Sequence, residues 1–283
     1  MAGTLYIVGT PIGNLEDVSM RALRVLGEVD LIAAEDTRRT ARLLQHYSIA
    51  TATTSLHEHN ERGKTPHLIA RLQAGASIAL VSDAGMPLVS DPGAGLVTEA
   101  RNAGIPIQVV PGPSAITAAL AGAGLSGPFA FLGFAPASGK KRKEWLARFG
   151  QLTGSLTVVF FEAPHRMVKT LAELQPILVN RPIIVAKELS KIHESLVEQP
   201  IASWLDEHSE GTRTKGEFVV LVPAPSEAVA ERMRPPSAED VLREFGHLTD
   251  SGLLKARAAA KLLAEKYDLT ASEIYQLHSR RQK

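Results

Sequence analysis

Three loops rich in glycine, proline and serine have the residue types that let a protein backbone approach a bound ligand closely. They comprise residues 9–14, 82–93 and 111–115, and each follows a short apolar run. Buried apolar runs of this kind are typical of strands in a parallel sheet, where ligands bind beyond the carboxyl ends of the strands. Any one of the loops alone is typical of an ordinary turn between strand and helix. Because three of them follow strands, we expect one ligand site at a single edge of a sheet.

Several common kinds of site do not match these residues. Glycines at positions 9 and 13 lack the G-x-G-x-x-G spacing of a dinucleotide site, and no Gly-Lys-Ser/Thr follows to make a P-loop. The chain has no G-x-S-x-G elbow and no cysteine, which excludes thiolate catalysis, disulfides and Cys-type zinc sites. His57 and His59, on either side of Glu58, could bind a metal if they shared one face of a strand. No third ligand is evident, so a surface loop is favoured there.

The apolar runs predict two successive sets of strands. The first set has strands at Leu5–Val8, Leu31–Ala34, Ile78–Val81 and Ile107–Val110, with amphipathic helical patterns between them. The second set has strands at Phe129–Phe134, 156–161, 183–186 and Phe218–Val222, with helical patterns at 141–149, 164–178 and Ile201–Glu207. In the first set, strands that alternate with helices predict a parallel sheet with helices on its faces, and the second set predicts a further α/β unit.

Length and charge suggest a globular chain of more than one domain. The 283 residues carry 31 Lys+Arg and 30 Asp+Glu, which excludes a highly basic protein that coats nucleic acid. We predict α/β domains at 1–123 and 124–225, a linker at 226–236 and a helical tail at 237–283. Residues 102–139 are uncharged, but prolines interrupt them, so they are not expected to span a membrane. The absence of cysteine and of a signal-peptide pattern leads us to expect a cytoplasmic protein.

The tail has the pattern of helices throughout. Ser237 and Asp240 have the spacing of a capping box, and so do Thr270 and Glu273. A break at 267–269 would give two helices joined by a short turn, as in a helix-turn-helix unit. The alternative is a small helical bundle that packs on its own chain or on a partner.

Several segments, taken in order, carry a resemblance to a known family. They are residues 5–17, 34–38, 80–93, 110–115, 161–166, 187–189 with 193–194, and 215–218. Together they resemble the ribosomal RNA small subunit methyltransferase I family, in the tetrapyrrole-methylase-like, class III group of S-adenosylmethionine methyltransferases. The resemblance spans about residues 4–224, and the tail is similar to the family's helical C-terminal appendage.

The resemblance implies a homodimeric enzyme that methylates the ribose 2′-oxygen of a cytidine in 16S rRNA, within the small ribosomal subunit. It places S-adenosylmethionine in a cleft between the two α/β domains. Methyl transfer from a sulfonium is an in-line displacement that needs no metal, only a fixed donor and an aligned acceptor oxygen. The residues expected to bind the donor are Pro11, Asp83, Ala84, Gly85, Met86, Ser114, Ala115, Phe161 and Gly216. Among them, Asp83 has an alternative role, because its carboxylate could serve only to cap a turn.

A ribose 2′-hydroxyl is weakly acidic, so a general base or a cation near the developing alkoxide would assist the reaction. The expected catalytic residues are Glu35, Asp36, Arg38, Lys187 and Glu188, with 57–60 as a further candidate segment. The sequence does not choose among them. Glu35 and Asp36 could simply cap the helix that begins at residue 37, and Lys187 could be a solvated strand end.

RNA binding must come from local clusters of positive charge, since the net charge is only +1. A single run of charges is more typical of a solvated face, and this alternative stays open for each cluster. A small net charge also favours recognition by shape, and hence an assembled ribosomal particle as substrate. The expected RNA-binding residues are Arg38, Arg39, His57, Asn60, Lys140, Lys141, Arg142, Lys143 and Arg213, and residues 280–283 form a further basic cluster.

Two other functions remain open at this stage. One is methylation of a small tetrapyrrole precursor, although the first loop reads Gly-Thr-Pro-Ile-Gly-Asn rather than the Gly-x-Gly-Pro-Gly-Asp of those enzymes. The other is a noncatalytic ribosome-assembly factor that binds nucleic acid through its tail.

Overall fold

A computed structural model describes residues 2–179, 181–208, 216–225, 238–250, 254–267 and 270–281. The chain divides into two compact units, Met1–Ala224 and Pro225–Lys283. The first unit contains two five-stranded sheets, and we call the parts built on them the first and second lobes.

The first lobe is a parallel sheet with helices on both faces. Its strands are β1 (Leu5–Val8), β2 (Leu31–Ala34), β3 (Thr53–Ser55), β4 (Ile78–Val81) and β5 (Ile107–Val110), in the order β3-β2-β4-β1-β5. Its helices are α1 (Met20–Glu28), α2 (Thr37–His46), α3 (Glu61–Gln73) and α4 (Ala94–Asn102). α1 and α2 cover one face, while α3 and α4 cover the other. The central strands are therefore buried on both faces, which explains their uninterrupted apolar sequences.

The second lobe is a mixed sheet of order β6-β7-β10-β8-β9. Its strands are β6 (Phe129–Phe134), β7 (Thr157–Glu162), β8 (Pro182–Lys187), β9 (Ser195–Pro200) and β10 (Phe218–Val222). β6 and β7 are parallel, and the other neighbouring pairs are antiparallel. The helices α6 (Gly139–Leu152), α7 (Met167–Leu178) and α8 (Ile201–Glu207) pack on one face around Trp145, Phe149 and Trp204.

One helix connects the two lobes by its packing. α5 (Ala115–Gly122) follows the last strand of the first sheet, yet its Ile116 and Leu120 pack against Val159 and Leu221 of the second sheet. The predicted division at residue 123 thus falls after a helix that completes the core of the second lobe. The chain therefore passes from the first sheet, through the loop at 111–115, directly into the core of the second lobe.

The predicted α/β fold is confirmed, and two strands were not predicted. Six of the eight predicted strands have the observed bounds, and the other two differ from β7 and β8 by one residue at their ends. β3 has only three residues, and β9 lies at a sheet edge with mostly exposed side chains. Neither has the apolar run that identified the others.

The second unit forms a three-helix bundle from α9 (Ala238–Asp250), α10 (Ala256–Tyr267) and α11 (Ala271–Arg281). Its shared core includes Val241, Phe245, Leu263 and Ile274. The predicted capping box at Thr270 forms, because the Glu273 N–H donates to the Thr270 hydroxyl at 3.2 Å and the Thr270 N–H donates to the Glu273 carboxylate at 2.7 Å. The predicted linker and Ser237 lie outside the described residues. Within the described part of the chain, no helix is both long and apolar enough to cross a membrane.

Candidate active site

The loops after β1 and β4 are joined by a pair of backbone hydrogen bonds. The Thr10 N–H donates to the Gly85 carbonyl at 2.9 Å, and the Gly85 N–H donates to the Thr10 carbonyl at 3.1 Å. The Thr10 hydroxyl donates to the carbonyl of Ser82 at 3.1 Å. Gly85 has a φ of +80°, a conformation that glycine adopts without steric cost. These bonds hold the first two glycine-rich loops side by side.

The third loop closes against the first through two glycines. A Cβ atom on Gly9 would lie 2.7 Å from the Cα of Gly112 and 2.7 Å from the sulfur of Met86. No side chain fits at such a contact, so the two loops meet backbone to backbone. All three loops lie together because β4, β1 and β5 are neighbours in the first sheet.

A cavity of about 480 Å³ opens beside these loops, between the first and second lobes. This volume is within the usual range for a small-molecule site, about 300–1,000 Å³. Its first-lobe lining comprises Ile12, Glu35, Arg39, Asp83, Ala84, Gly85, Met86, Val89, Ser90, Asp91, Ser114, Ala115 and Ile116. Its second-lobe lining comprises Phe134, Phe161, Glu162, Ala163, Pro164, Leu189, Gly216, Glu217, Phe218 and Val219.

Eight of the nine residues expected to bind the donor line this cavity. The exception is Pro11, which lies in an adjacent groove of about 360 Å³. The groove and the cavity share Arg39, Asp83 and Glu217, so these three residues form the wall between them.

The N-terminus of α5 opens into the cavity. Ser114 is the N-cap residue, but its side chain makes no capping hydrogen bond, and both Ser114 and Ala115 line the cavity. The first backbone N–H groups of a helix have no partner within the helix, and they carry a partial positive charge. This end of the cavity is therefore suited to a carboxylate.

Three carboxyl groups line the first-lobe wall: Glu35, Asp83 and Asp91. Burial raises the pKa of Asp91 to about 6, and the negative charges of Glu35 and Asp83 act in the same direction. Burial also raises the pKa of Glu35, against a hydrogen bond that its carboxylate accepts from the Asp83 N–H at 3.3 Å. This wall is therefore acidic, and it is suited to a ligand that carries positive charge.

Comparison with known proteins identifies the family. The family described as Tetrapyrrole (Corrin/Porphyrin) Methylases matches residues 4–204. The Ribosomal RNA small subunit methyltransferase I of Vibrio cholerae is 44% identical over 279 residues, which are 97% of this chain and 93% of that protein. This chain belongs to the ribosomal RNA small subunit methyltransferase I family. The protein of the same name from Thermotoga maritima is 42% identical over 221 residues, 78% of this methyltransferase but 98% of its relative.

A solved structure supports the fold independently. The uroporphyrin-III C-methyltransferase of Thermus thermophilus, complexed with S-adenosyl homocysteine, covers 78% of the methyltransferase and 97% of its own chain. The TM-score is 0.55 at 19% sequence identity. The two proteins thus share the tetrapyrrole-methylase fold.

Only Glu35 among the five expected catalytic residues lines the cavity of the methyltransferase. Asp36 caps α2, because its carboxylate accepts from the Arg38 N–H at 2.9 Å and from the Arg38 guanidinium at 3.0 Å and 2.7 Å. These hydrogen bonds lower the pKa of Asp36. The helix-capping alternative thus describes Asp36, and neither Asp36 nor Arg38 belongs to the cavity wall.

Lys187 and Glu188 do not line the cavity, but each contacts a residue that does. The Lys187 Nζ is 5.9 Å from the ring centre of Phe218. Glu188 has a φ of +52°, and its carboxylate accepts from the Glu217 N–H at 2.8 Å and from the Lys191 ammonium at 3.0 Å. Glu188 thus holds Glu217, which does line the cavity.

The four basic residues of 140–143 have two different environments. Lys140, Lys141 and Lys143 are exposed in the first turns of α6. Arg142 is buried, which corrects its assignment to RNA binding. Its guanidinium donates to Glu173 at 2.7 Å, to the Pro136 carbonyl at 2.7 Å and to Thr170 at 2.9 Å. Arg142 therefore fixes α6 on α7 and cannot reach a phosphate.

The other expected RNA-binding residues that the structure describes lie in the first lobe. Arg39 lines both the cavity and the adjacent groove. Asn60 and His57 stabilise the turn before α3, where the Asn60 side chain accepts from the His57 N–H at 2.9 Å. Arg213 and residues 282–283 lie outside the described residues, as do the side chains of 280 and 281. The described residues contain no group of three or more His, Cys, Asp or Glu positioned to hold a metal ion.

Asp91 and Phe134 are among the cavity residues that were not expected from the sequence. Asp91 belongs to the glycine- and proline-rich loop at 82–93, but its aim depends on left-handed backbone at Leu88 (φ +75°) and Ser90 (φ +72°). Phe134 ends a predicted strand and keeps 52% of its surface exposed. An aromatic residue at the end of a strand, just before a run of lysines, was the signal available for it.

Proposed function

We propose that this protein transfers a methyl group from S-adenosylmethionine to the ribose 2′-oxygen of cytidine 1402 in 16S rRNA. Membership of the ribosomal RNA small subunit methyltransferase I family supports the reaction class and the RNA substrate. The observation that carries the proposal is the cavity itself, which has an acidic wall and an uncapped helix N-terminus and lies beside the glycine-rich loops.

The residues of the cavity fit the donor chemically. The α-carboxylate of S-adenosylmethionine is complementary in charge to the N–H groups at the start of α5. Its amino group and sulfonium are complementary in charge to the acidic wall. Apolar side chains such as Ile12, Met86 and Phe161 offer an apolar surface to the adenine. Gly9 and Gly112 hold two of the loops beside the cavity in backbone-to-backbone contact, where a Cβ would intrude. When bound, the donor supplies an electrophilic methyl group on a sulfonium.

The protein's part in the reaction is to hold the acceptor and remove its proton. We propose that Asp91 accepts the proton of the ribose 2′-hydroxyl. Its pKa of about 6 leaves it ionised at neutral pH, while it remains a better base than an ordinary aspartate. Glu35 lies on the same wall, and its negative charge favours protonation of Asp91. Arg39, whose guanidinium is 3.4 Å from Asp83, is a cation available where the acceptor oxygen develops negative charge.

Arg39 supplies positive charge in the lining of the cavity, and the exposed lysines of α6 follow the lining residue Phe134 along the chain. Their number is small, so we expect modest affinity for free RNA and tighter binding to the assembled small subunit. We further propose that the enzyme works in the cytoplasm as a homodimer. Light scattering of the purified protein tests the dimer.

The decisive experiment uses the methyl-labelled donor and small ribosomal subunits from cells that lack this methyltransferase. After incubation, the RNA is digested and the label is mapped to nucleotide and to base or ribose. We expect label on the ribose of a single cytidine. Label on a base would contradict the proposal, and transfer to a porphyrinoid but not to subunits would favour the tetrapyrrole alternative. Failure of calorimetry to detect donor binding would exclude both enzymatic functions.

A further inference from the structure

The end of β6 contains a shift in strand register. Phe131 lies opposite Val159 and Phe134 lies opposite Phe161, so three steps along β6 match two steps along β7. Gly133, within this step, has a φ of +63°. An extra residue of this kind forms a bulge and reorients the side chains that follow it.

The bulge changes the face of the sheet on which Phe134 lies. In a regular strand, Phe134 would share a face with Leu132, which packs against the buried core beneath α6 and α7. Instead, the ring of Phe134 is 5.3 Å from that of Phe161, and Phe131 lies 4.9 Å from the same ring. The bulge therefore moves an aromatic side chain from the core side to the rim of the cavity.

Phe134 is suited to a flat ligand that enters from solvent. One part of its ring packs on Phe161, while 52% of its surface stays exposed beside the cavity. Nucleobases stack on exposed aromatic rings of this kind in single-stranded RNA recognition. The chain then runs directly into α6, whose exposed Lys140, Lys141 and Lys143 carry the charge that a polyanion requires.

We propose that Phe134 stacks against the base of the nucleotide whose ribose is methylated, and so positions that nucleotide in the cavity. This inference rests on the proposed function, because it assigns the rim of the same site to the acceptor. The adenine of the donor is the competing ligand for this ring. Phe134 is more exposed than Phe161, which favours the acceptor for Phe134 and the donor for Phe161.

The test compares Phe134→Ala, Phe134→Tyr and Phe129→Ala with the wild-type enzyme. Phe129 is a matched control because it is 44% exposed at the opposite end of β6, about 17 Å away, and does not line the cavity. Initial rates are measured against the concentration of unmethylated small subunits, and donor affinity is measured by calorimetry. We expect Phe134→Ala to raise KM for the subunits by about 5- to 150-fold. Phe134→Tyr and Phe129→Ala should resemble the wild type.

Three outcomes would overturn the inference. An unchanged KM for Phe134→Ala would show that no base stacks there. A weaker donor affinity in this variant would assign the ring to the adenine, and a change of oligomeric state would assign it to a subunit interface. A wild-type enzyme that does not methylate subunits would instead overturn the proposed function, and this inference with it.

Discussion

Gly9 and Gly112 meet backbone to backbone, since a Cβ on either residue would lie 2.7 Å or 2.8 Å from the Cα of the other. They follow neighbouring strands, β1 and β5, in two of the loops beside the cavity. The contact leaves no room for a side chain on either loop. It thereby fixes the distance between two of the three loops on which the site depends.

Replacement of Gly9 by alanine should therefore damage both the fold and the site. We expect Gly9→Ala to lower the free energy of unfolding by about 1–3 kcal/mol, because the Cβ must displace backbone. Donor affinity should fall as well. Urea unfolding and calorimetry measure the two effects. Gly27→Ala is the control, since nothing lies within 4 Å of that Cβ in α1, and it should stabilise the protein by about 0.5–1 kcal/mol.

Neutralising Asp91 should stabilise the fold at neutral pH. Its pKa is raised from 3.8 to about 6, so its contribution to stability is complete below the unfolded pKa and is lost as the pH rises through about 6. Asp91→Asn remains neutral at every pH. We expect a gain of about 1 kcal/mol at neutral pH, a value reduced to allow for partial exposure, and a smaller gain in acid. Equal gains in urea unfolding at both pH values would contradict this origin.

The same substitution should remove most of the activity. If Asp91 accepts the 2′-hydroxyl proton, Asp91→Asn lowers kcat by about 10²- to 10⁴-fold. The acidic limb of the wild-type pH–rate profile, near pH 6, should disappear with it. Asp36→Asn is the control, because that carboxylate caps α2 outside the cavity. A retained acidic limb in Asp91→Asn would assign the proton to another group.

Arg142 and Lys141 should differ in what they affect, although they are adjacent in the sequence. Arg142→Ala leaves the carboxylate of Glu173 and the carbonyl of Pro136 without their donor, and we expect a loss of about 3 kcal/mol in unfolding free energy. Lys141→Ala should change that free energy by less than about 0.5 kcal/mol. It should instead weaken subunit binding and reduce its dependence on salt. If Arg142→Ala were as stable as the wild type but bound the subunit more weakly, Arg142 would belong to the RNA-binding surface.

Removal of the second unit should leave donor binding intact. Every residue that lines the cavity lies between positions 12 and 219, inside the first unit. The Thermotoga maritima relative also aligns over 98% of its own length with only 78% of this chain. We expect a protein of residues 1–224 to fold and to bind the donor with wild-type affinity by calorimetry. An insoluble fragment, or one with weaker donor affinity, would show that the tail supports the site.

The sequence predicted those parts of the fold whose signals are local. β1, β4 and β5 were predicted to the residue because each is a continuous apolar run followed by turn-forming residues. The placement of two cavity residues depends on backbone geometry that no residue pattern encodes. The left-handed backbone at Leu88 and Ser90 orients Asp91, and the bulge in β6 orients Phe134.

Arg142 differs from these cases, because its burial could have been read from the sequence. It lies three and seven residues before Trp145 and Phe149, which is the spacing of one helix face. Both aromatic residues are buried, so that face is the one directed into the lobe. Charge alone placed Arg142 with the exposed lysines, and helical periodicity would have separated it from them.

The position of β10 determines when the site can form during synthesis. β10 lies between β7 and β8 in the second sheet, although it is translated after both. Until Phe218–Val222 has emerged from the ribosome, a nascent chain lacks the middle strand of that sheet and part of the core on which α5 packs. Phe218 and Val219 also line the cavity, so a chain released earlier has an incomplete site. Premature termination should therefore yield inactive fragments for proteolysis rather than shortened enzymes with altered substrate choice.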